Sequence, residues 1–269
     1  MAYHEIASHP DLQDVVRSYW LVEEWHDRRT ELHSFLPERA VRLTFYSGES
    51  YVSDAARAMR PLPSAYLVGL HDSPLLAVSR GFTRALGVDL FPWGAMALFG
   101  LETVETTLRV PPKAWGLASV ERELSGLLAS NQVDAAVEAL ETWLRRRFAS
   151  EAREPGKAVR AAADLYRSRG QARVAELAER HHLSPRALER GFRSDVGVSP
   201  KKLARLIRFE ETYNALWLDP RRSLTDVAYA FGYSDSAHLA REFRALAHVS
   251  PSEYARFVER RRDLQEESA

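Results

Sequence analysis

The feature that most restricts this chain is a short internal repeat. Leu188-Glu189-Arg190-Gly191-Phe192-Arg193, followed by Val198-Ser199-Pro200, returns as Leu239-Ala240-Arg241-Glu242-Phe243-Arg244, followed by Val249-Ser250-Pro251, at an offset of 51. Just upstream, Ala178 and Ala228 are 50 apart, so one copy carries a single-residue difference in or near its turn. Each copy reads as helix, tight turn, helix. In the first, Val174, Leu177 and Ala178 give one helix an apolar face, and His181-His182-Leu183 form the turn. Ser184 is a suitable N-cap because its hydroxyl can accept from a free backbone N–H. Pro185 suits the first helical position, where no N–H is needed. In the second, Leu224, Val227, Ala228 and Phe231 form the apolar face, Gly232 permits the sharp turn, and Ser234 or Asp235 caps the next helix. Small residues at Ala178 and Ala228 let the two helices of each unit approach closely. Leu188, Phe192, Leu239 and Phe243 are expected in the core. Gly191 is a poor helix former, costing about 1 kcal/mol relative to Ala; it permits close approach either to DNA or to a neighbouring helix.

Helices of this size fit the major groove of DNA, where base edges are individually distinguishable. In such a unit the second helix enters the groove and the first braces it on the backbone. Two units on a rigid spacer could read segments about one turn, ~34 Å, apart. Residues 200–218 supply the spacer, with Leu203, Leu206, Ile207 and Tyr213 at helical spacing. Lys201, Lys202, Arg205 and Arg208 cluster at its start, where they could neutralise phosphates. The charge distribution agrees. Residues 155–269 hold 21 Lys and Arg against 16 Asp and Glu, whereas residues 1–154 hold 16 against 21, so a neutral chain hides a basic second half.

The remaining composition mainly excludes. With 269 residues and 45% hydrophobic content, the chain can bury cores for about two domains. It has no Cys, which rules out disulfides, thiol catalysis and thiolate zinc sites and fits a reducing cytoplasm. No run of about 18 apolar residues and no secretory signal pattern is present, so a cytoplasmic location without membrane partners is expected. No nucleophile elbow with triad spacing and no phosphate-binding Gly loop appears, and the chain is read as a non-enzyme without cofactor or metal.

The first hundred residues read as β-rich. Arg42-Leu43-Thr44-Phe45-Tyr46 runs into a turn signal at Ser47-Gly48-Glu49-Ser50. Ala65 to Leu70, Leu75 to Val78 and Ala85 to Phe91 are further short runs with strand composition. From about Ser119 the pattern turns helical, with Val133, Val137, Leu140 and Leu144 on one face. The charged stretch 145–156, with Pro155 and Gly156, marks a boundary. The fold class is therefore α+β. A barrel- or sandwich-like β-rich domain with trailing helices is expected over residues 1–150. An all-α domain with two helix-turn-helix units is expected over residues 157–262 and is read as binding DNA.

The second copy, from Asp226-Val227-Ala228-Tyr229-Ala230-Phe231-Gly232-Tyr233 through Arg244 and on to Val249-Ser250-Pro251-Ser252-Glu253-Tyr254, resembles the signature of the AraC-type transcription regulators. The resemblance covers roughly residues 158–257. It implies seven helices with two helix-turn-helix units that bind promoter DNA. It also implies base reading from Arg186, Glu189 and Arg190 in the first groove helix and from Ser236, Ala237 and Arg241 in the second. Arg can donate two bonds to guanine and Glu can accept from cytosine, while Ala offers only apolar contact. Lys201, Lys202 and His238 are expected on phosphates, which position a protein without reading sequence.

The same resemblance places a sensing or dimerising domain first, and its partners would be promoter DNA, a small-molecule effector, RNA polymerase and a second copy. Residues Val16 to Trp20, Phe35 to Arg39 and Phe91 to Ala95 look like a small β-rich domain found ahead of such units. Trp20, Trp25, His33, Arg42, His71 and Trp93 are candidates for an effector pocket, which mixes aromatic surface with few polar groups. Taken singly, the tryptophans fit an apolar core better than a pocket and Arg42 fits a solvated strand position, and His26, His33 and His71 show no metal-ligand spacing. Two other functions compete. A DNA-binding protein could act without a ligand, its first half mediating dimerisation or protein contacts. An enzyme domain could be fused to the DNA-binding half, although alkyl-transfer repair needs a Cys acceptor that this chain lacks.

Overall fold

The computed structural model describes residues 2–53, 58–111, 115–151 and 154–266, the side chains of 2, 27–33, 150–151 and 264–266 excepted. The first half is built on one antiparallel sheet of seven strands among the described residues. These are β1 (Ala2–Ala7), β2 (Val16–Phe35), β3 (Val41–Ser53), β4 (Met59–Pro61), β5 (Ala65–Val68), β6 (Leu75–Leu90) and β7 (Leu108–Arg109), in the order β1-β2-β6-β3-β5-β7 with β4 beside β3.

The strands are longer than local signals suggest, and the expected breaks are irregularities inside them. Ser47-Gly48-Glu49-Ser50 is not a turn. β3 continues through it with a register shift between Ser47 and Glu49, Gly48 taking φ +135°. The extra residues lie in β6, where Gly81, Phe82 and Thr83 stand between the partners of Ser47 and Glu49, and Gly supplies the positive φ at Gly48 cheaply. Leu75 to Val78 and Ala85 to Leu90 likewise belong to one strand, β6, which passes Gly81 at φ +63° opposite a register shift in β2. Gly87 has a different task. It pairs with Trp20 across β2, and a Cβ there would lie 2.0 Å from the indole. Its missing side chain lets Trp20 lie across β6.

Helix α1 (Pro92–Phe99) follows the sheet, and α2 (Leu117–Ala129) packs on α3 (Val133–Glu151). As the spacing predicts, Val137, Leu140 and Leu144 are buried in α3. Seven helices then follow among the described residues: α4 (Lys157–Arg167), α5 (Val174–Arg180), α6 (Pro185–Gly191), α7 (Pro200–Leu218), α8 (Leu224–Ala230), α9 (Ser236–Ala247) and α10 (Pro251–Glu266). One apolar core runs from the sheet through α1 into α4 and α7.

The two helix-turn-helix units are α5–α6 and α8–α9, joined by α7. Leu188, Phe192, Leu239 and Phe243 are fully buried, and Ala178 and Ala228 lie where the paired helices meet. The change from offset 50 to 51 has a structural cause. In each turn one residue takes the left-handed conformation, His182 at φ +52° and Gly232 at φ +75°. The N-cap of the next helix is Ser184 in the first unit and Asp235 in the second, whose side chains accept from Ala187 N and His238 N. The second turn is therefore one residue longer. Beyond Gly191 the first unit continues as a short wide-turn segment, Phe192–Val196, whereas α9 is regular. Gly191 itself faces another helix: a Cβ there would lie 2.8 Å from Ala158 Cβ of α4.

Candidate nucleic-acid interface and ligand cleft

In the first unit, Arg186 and Arg190 are exposed on α6. Glu189 is half-buried and pairs with Arg193, Oε1 to Nη2 3.3 Å. In the second unit, Ser236, Ala237 and Arg241 are exposed along α9. His238 is held locally: its Nδ1 lies 3.3 Å from Ser234 N, its Nε2 3.8 Å from Glu242, and its ring stands edge-on to Tyr233. Asp235 is kept below the ordinary carboxylate range by the His238 N–H that it accepts and by the Ser234 hydroxyl, as suits a capping anion at a helix start.

The basic cluster of α7 does something other than expected. Only Lys201 is exposed. Lys202 reaches Asp72 Oδ2 at 2.7 Å and Glu105 Oε2 at 3.3 Å, both in the first half, and does not stand free for a phosphate. Arg205 and Arg208 point to Glu242 of α9, at 3.9 and 3.4 Å, and Arg208 also donates to the Gly170 carbonyl. This cluster fastens the spacer to both its neighbours. Long basic side chains next to carboxylates satisfy one another before they meet a duplex, and spacing alone does not reveal this.

A cleft of about 60 Å³ opens in the first half, lined among others by Trp20, Phe35, Glu38, Arg42, Tyr66 and His71. That is room for a few water-sized groups. Of the expected pocket residues, Trp20, Arg42 and His71 meet there. Trp25 does not: it is 73% exposed and leans on Phe82. Trp93 does not either. It is buried, stacks on Phe91 with centroids 4.6 Å apart, meets Tyr166 edge-on and donates to the Asp14 carbonyl. The His33 side chain lies outside the described residues.

Sequence reasoning missed the two acids that give the cleft its chemistry. Arg42 holds Asp89 through Nε at 2.8 Å and Nη2 at 3.1 Å, and holds Glu38 through Nη2 at 2.7 Å. Its guanidinium lies 4.6 Å over the Trp20 ring, whose Nε1 also donates to Asp89. Burial works against an ionised Asp89, but Arg42 and the Trp20 N–H outweigh it and hold the carboxyl down. For Glu38 burial wins. With the neighbouring Asp89 and Glu210 charges it pushes the carboxyl up to about 7, against the pull of Arg42 and Arg17. Burial also lowers His71, whose Nδ1 donates to the Ser73 carbonyl at 2.7 Å. The signal was present in Gly87-Val88-Asp89-Leu90, where an acid interrupts an apolar strand.

Cleft and first helix-turn-helix unit share short connections. His71 lines the cleft, and its neighbour Asp72 holds Lys202 at the start of α7. Gly69, also in the lining, is followed by Leu70, whose N–H donates to the Val104 carbonyl. Val104 N and Thr103 Oγ1 both donate to the Gly197 carbonyl, at the end of the first unit. A second junction centres on buried Glu210 of α7. It accepts from the Arg39 backbone N–H at 2.8 Å and from Arg17 Nη2 at 3.4 Å, and Arg39 Nε lies 2.9 Å from it, an ion pair whose N–H is not aimed squarely at the oxygen. Arg39 Nη1 meets Glu211 at 2.5 Å, and the Tyr166 hydroxyl donates to the Arg39 carbonyl.

Fold and site define a two-domain helix-turn-helix protein with a β-rich first half. Residues 177–256 match the model of a helix-turn-helix domain, and residues 4–111 match that of a domain of unknown function, DUF6597. No curated protein sequence matches the chain. Among solved structures, ToxT from Vibrio cholerae in its P21 form is similar at 13% identity and a TM-score of 0.52, covering 89% of this chain and 98% of that one. ToxT from Vibrio cholerae O395 gives 14% and 0.51 over 88% and 97%. The same protein bound to (E)-4-(8-methylnaphthalen-1-yl)but-3-enoic acid gives 12% and 0.50 over 96% and 100%. At these identities the likeness establishes the two-domain fold. The helix-turn-helix match spans both units of the second half and agrees with the resemblance of that half to the AraC-type regulators.

Proposed function

We propose that this protein is a sequence-specific, ligand-responsive transcription regulator of promoter DNA, with residues 1–150 sensing an effector and residues 157–262 binding the duplex. Arg186 and Arg190 read bases from α6 and Arg241 from α9, while Lys201 meets phosphate. Exposed Arg is suited to this because its fork donates twice to one guanine. Sensing is supported by one observation above all: residues next to the cleft lining reach the start of α7 through Asp72–Lys202 and the end of the first helix-turn-helix unit through Val104–Gly197. A change in the cleft wall has a short path to α6 and α7. A similarly folded relative, ToxT, has been crystallised with a small organic acid. An effector here acts by binding one arrangement of the two halves better than another.

Two measurements test this. Selection of duplexes from a random pool by the full chain is expected to return two conserved segments about one helical turn apart; a pool with no conserved segment overturns sequence-specific binding. Combining Asp72→Asn with Glu105→Gln frees Lys202 without touching either groove helix. Operator affinity is then expected to change by about fivefold or more, and an unchanged affinity overturns the coupling. Self-association is a second role, favoured by the exposed cross-strand pair Trp25 and Phe82. Sedimentation of Trp25→Ser against the parent chain tests it: unaltered mass for both at equal concentration rules that pair out.

A further inference from the structure

We propose that the cleft takes a small organic cation, an apolar amine, with Glu38 as its counter-ion. This rests on the cleft being the effector site and names the class of effector. The argument is one of charge balance. Among the described residues Arg42 is the only Lys or Arg in the lining, and it already faces two carboxylates, Asp89 in a forked pair and Glu38 through one nitrogen. One cation balances one of these anions, and the other is in excess. A carboxylate ligand would be a third anion on a single guanidinium and would have to displace Glu38 or Asp89. An ammonium instead meets the unbalanced Glu38 and leaves the Arg42–Asp89 fork intact.

The walls suit the same guest. Phe35 and Tyr66 contribute ring surface, and a cation over an aromatic face is favoured, the more so away from water. His71 adds an acceptor. Its Nδ1 carries a proton to the Ser73 carbonyl, and burial keeps the ring neutral, so its Nε2 retains a free lone pair. The mouth is accessible, since Phe35 at the rim is 48% exposed. The charges around Glu38 are Arg42 of β3, Asp89 of β6, Arg17 of β2 and Glu210 of α7. With burial they leave its carboxyl near 7, as expected for an anion that lacks a full partner.

The test uses the full chain and three small probes of nearly one shape: propylammonium, 1-propanol and propanoate. Thermal shift and calorimetry are expected to rank propylammonium first and propanoate last. Glu38→Gln should weaken propylammonium by roughly tenfold or more, the scale of a lost charge-assisted bond, and leave 1-propanol nearly unchanged. Should that variant fail to fold, the parent chain still decides. An ammonium beside Glu38 lowers its pKa, so binding at pH 7 must release protons, seen as a dependence of the heat on buffer ionisation enthalpy. Propanoate binding in preference to propylammonium overturns the amine while leaving an effector cleft in place. Propylammonium binding without proton release also overturns it. No stabilisation by any probe counts against both the amine and the cleft as a sensing site.

Discussion

Replacing Glu210 by Gln tests the junction between the two halves most directly. The carboxylate is 7% exposed, and its partners Arg17 and Arg39 are 21% and 13% exposed. It accepts a backbone N–H and faces two guanidinium groups at 2.9 to 3.4 Å. Gln keeps the size but removes the charge, and it turns an N–H₂ toward donors that cannot accept. Removing one partner of a buried pair costs about 3–5 kcal/mol because the other charges stay buried. Residual water access places this site at the low end, about 3 kcal/mol. At roughly 2–4 °C per kcal/mol for chains somewhat smaller than this, the midpoint falls by about 6–12 °C. Urea unfolding measures the loss, with far-UV circular dichroism checking that the fold is retained. Arg39→Ala should lose less in the Glu210→Gln background than in the parent, because the two share one contact. A loss below about 1 kcal/mol, or strictly additive effects, would refute the idea that buried Glu210 ties α7 to the sheet.

Other outcomes are specific enough to check. Arg190→Ala should cost about 1–3 kcal/mol on the selected operator and little on random duplex; equal loss on both removes it from base reading. Lys202→Ala should leave the salt slope of DNA binding unaltered, because the ammonium is engaged by Asp72 and Glu105. A slope lower by about one would place it on phosphate after all. Gly197→Ala puts a side chain at φ +76° with its Cβ 2.6 Å from Met96 Sδ and 2.9 Å from Val104 N. A loss of about 2 kcal/mol or more is expected from the conformation and the clash together, and calorimetry showing none would contradict the close approach. Glu38 titrates near 7 in the folded chain against an ordinary 4.5, so the folded state holds that proton longer. Its contribution to stability therefore falls as pH rises from about 4.5 to 7. Glu38→Gln should remove that part of the pH dependence, and identical profiles would show that the group is not perturbed.

The sequence alone determined the C-terminal half. A repeat of apolar, small and capping residues can be satisfied only by a recurring packed unit, because Leu188, Phe192, Leu239 and Phe243 need the same kind of burial twice. Even the odd residue in the offset was readable as a difference in the turn. Two charged residues in apolar stretches carry a further signal. Asp89 sits inside an apolar strand, and Glu210 falls on the apolar face of α7 that Leu203, Leu206 and Ile207 define. A carboxylate in such a place needs a cation brought from elsewhere.

Where that cation comes from is a matter of tertiary structure. Arg42 reaches Asp89 because β3 and β6 pair in register, Arg42 opposite Asp89. Arg39 reaches Glu210 across 171 positions of sequence. Local company marks Lys202 as a phosphate contact, and only the fold brings Asp72 and Glu105 to it. Local pattern fixes which face of a helix or strand is apolar, since period and burial travel together along the chain. It does not fix which charges meet, because ion pairs join residues remote in sequence whose distance only the packed chain sets.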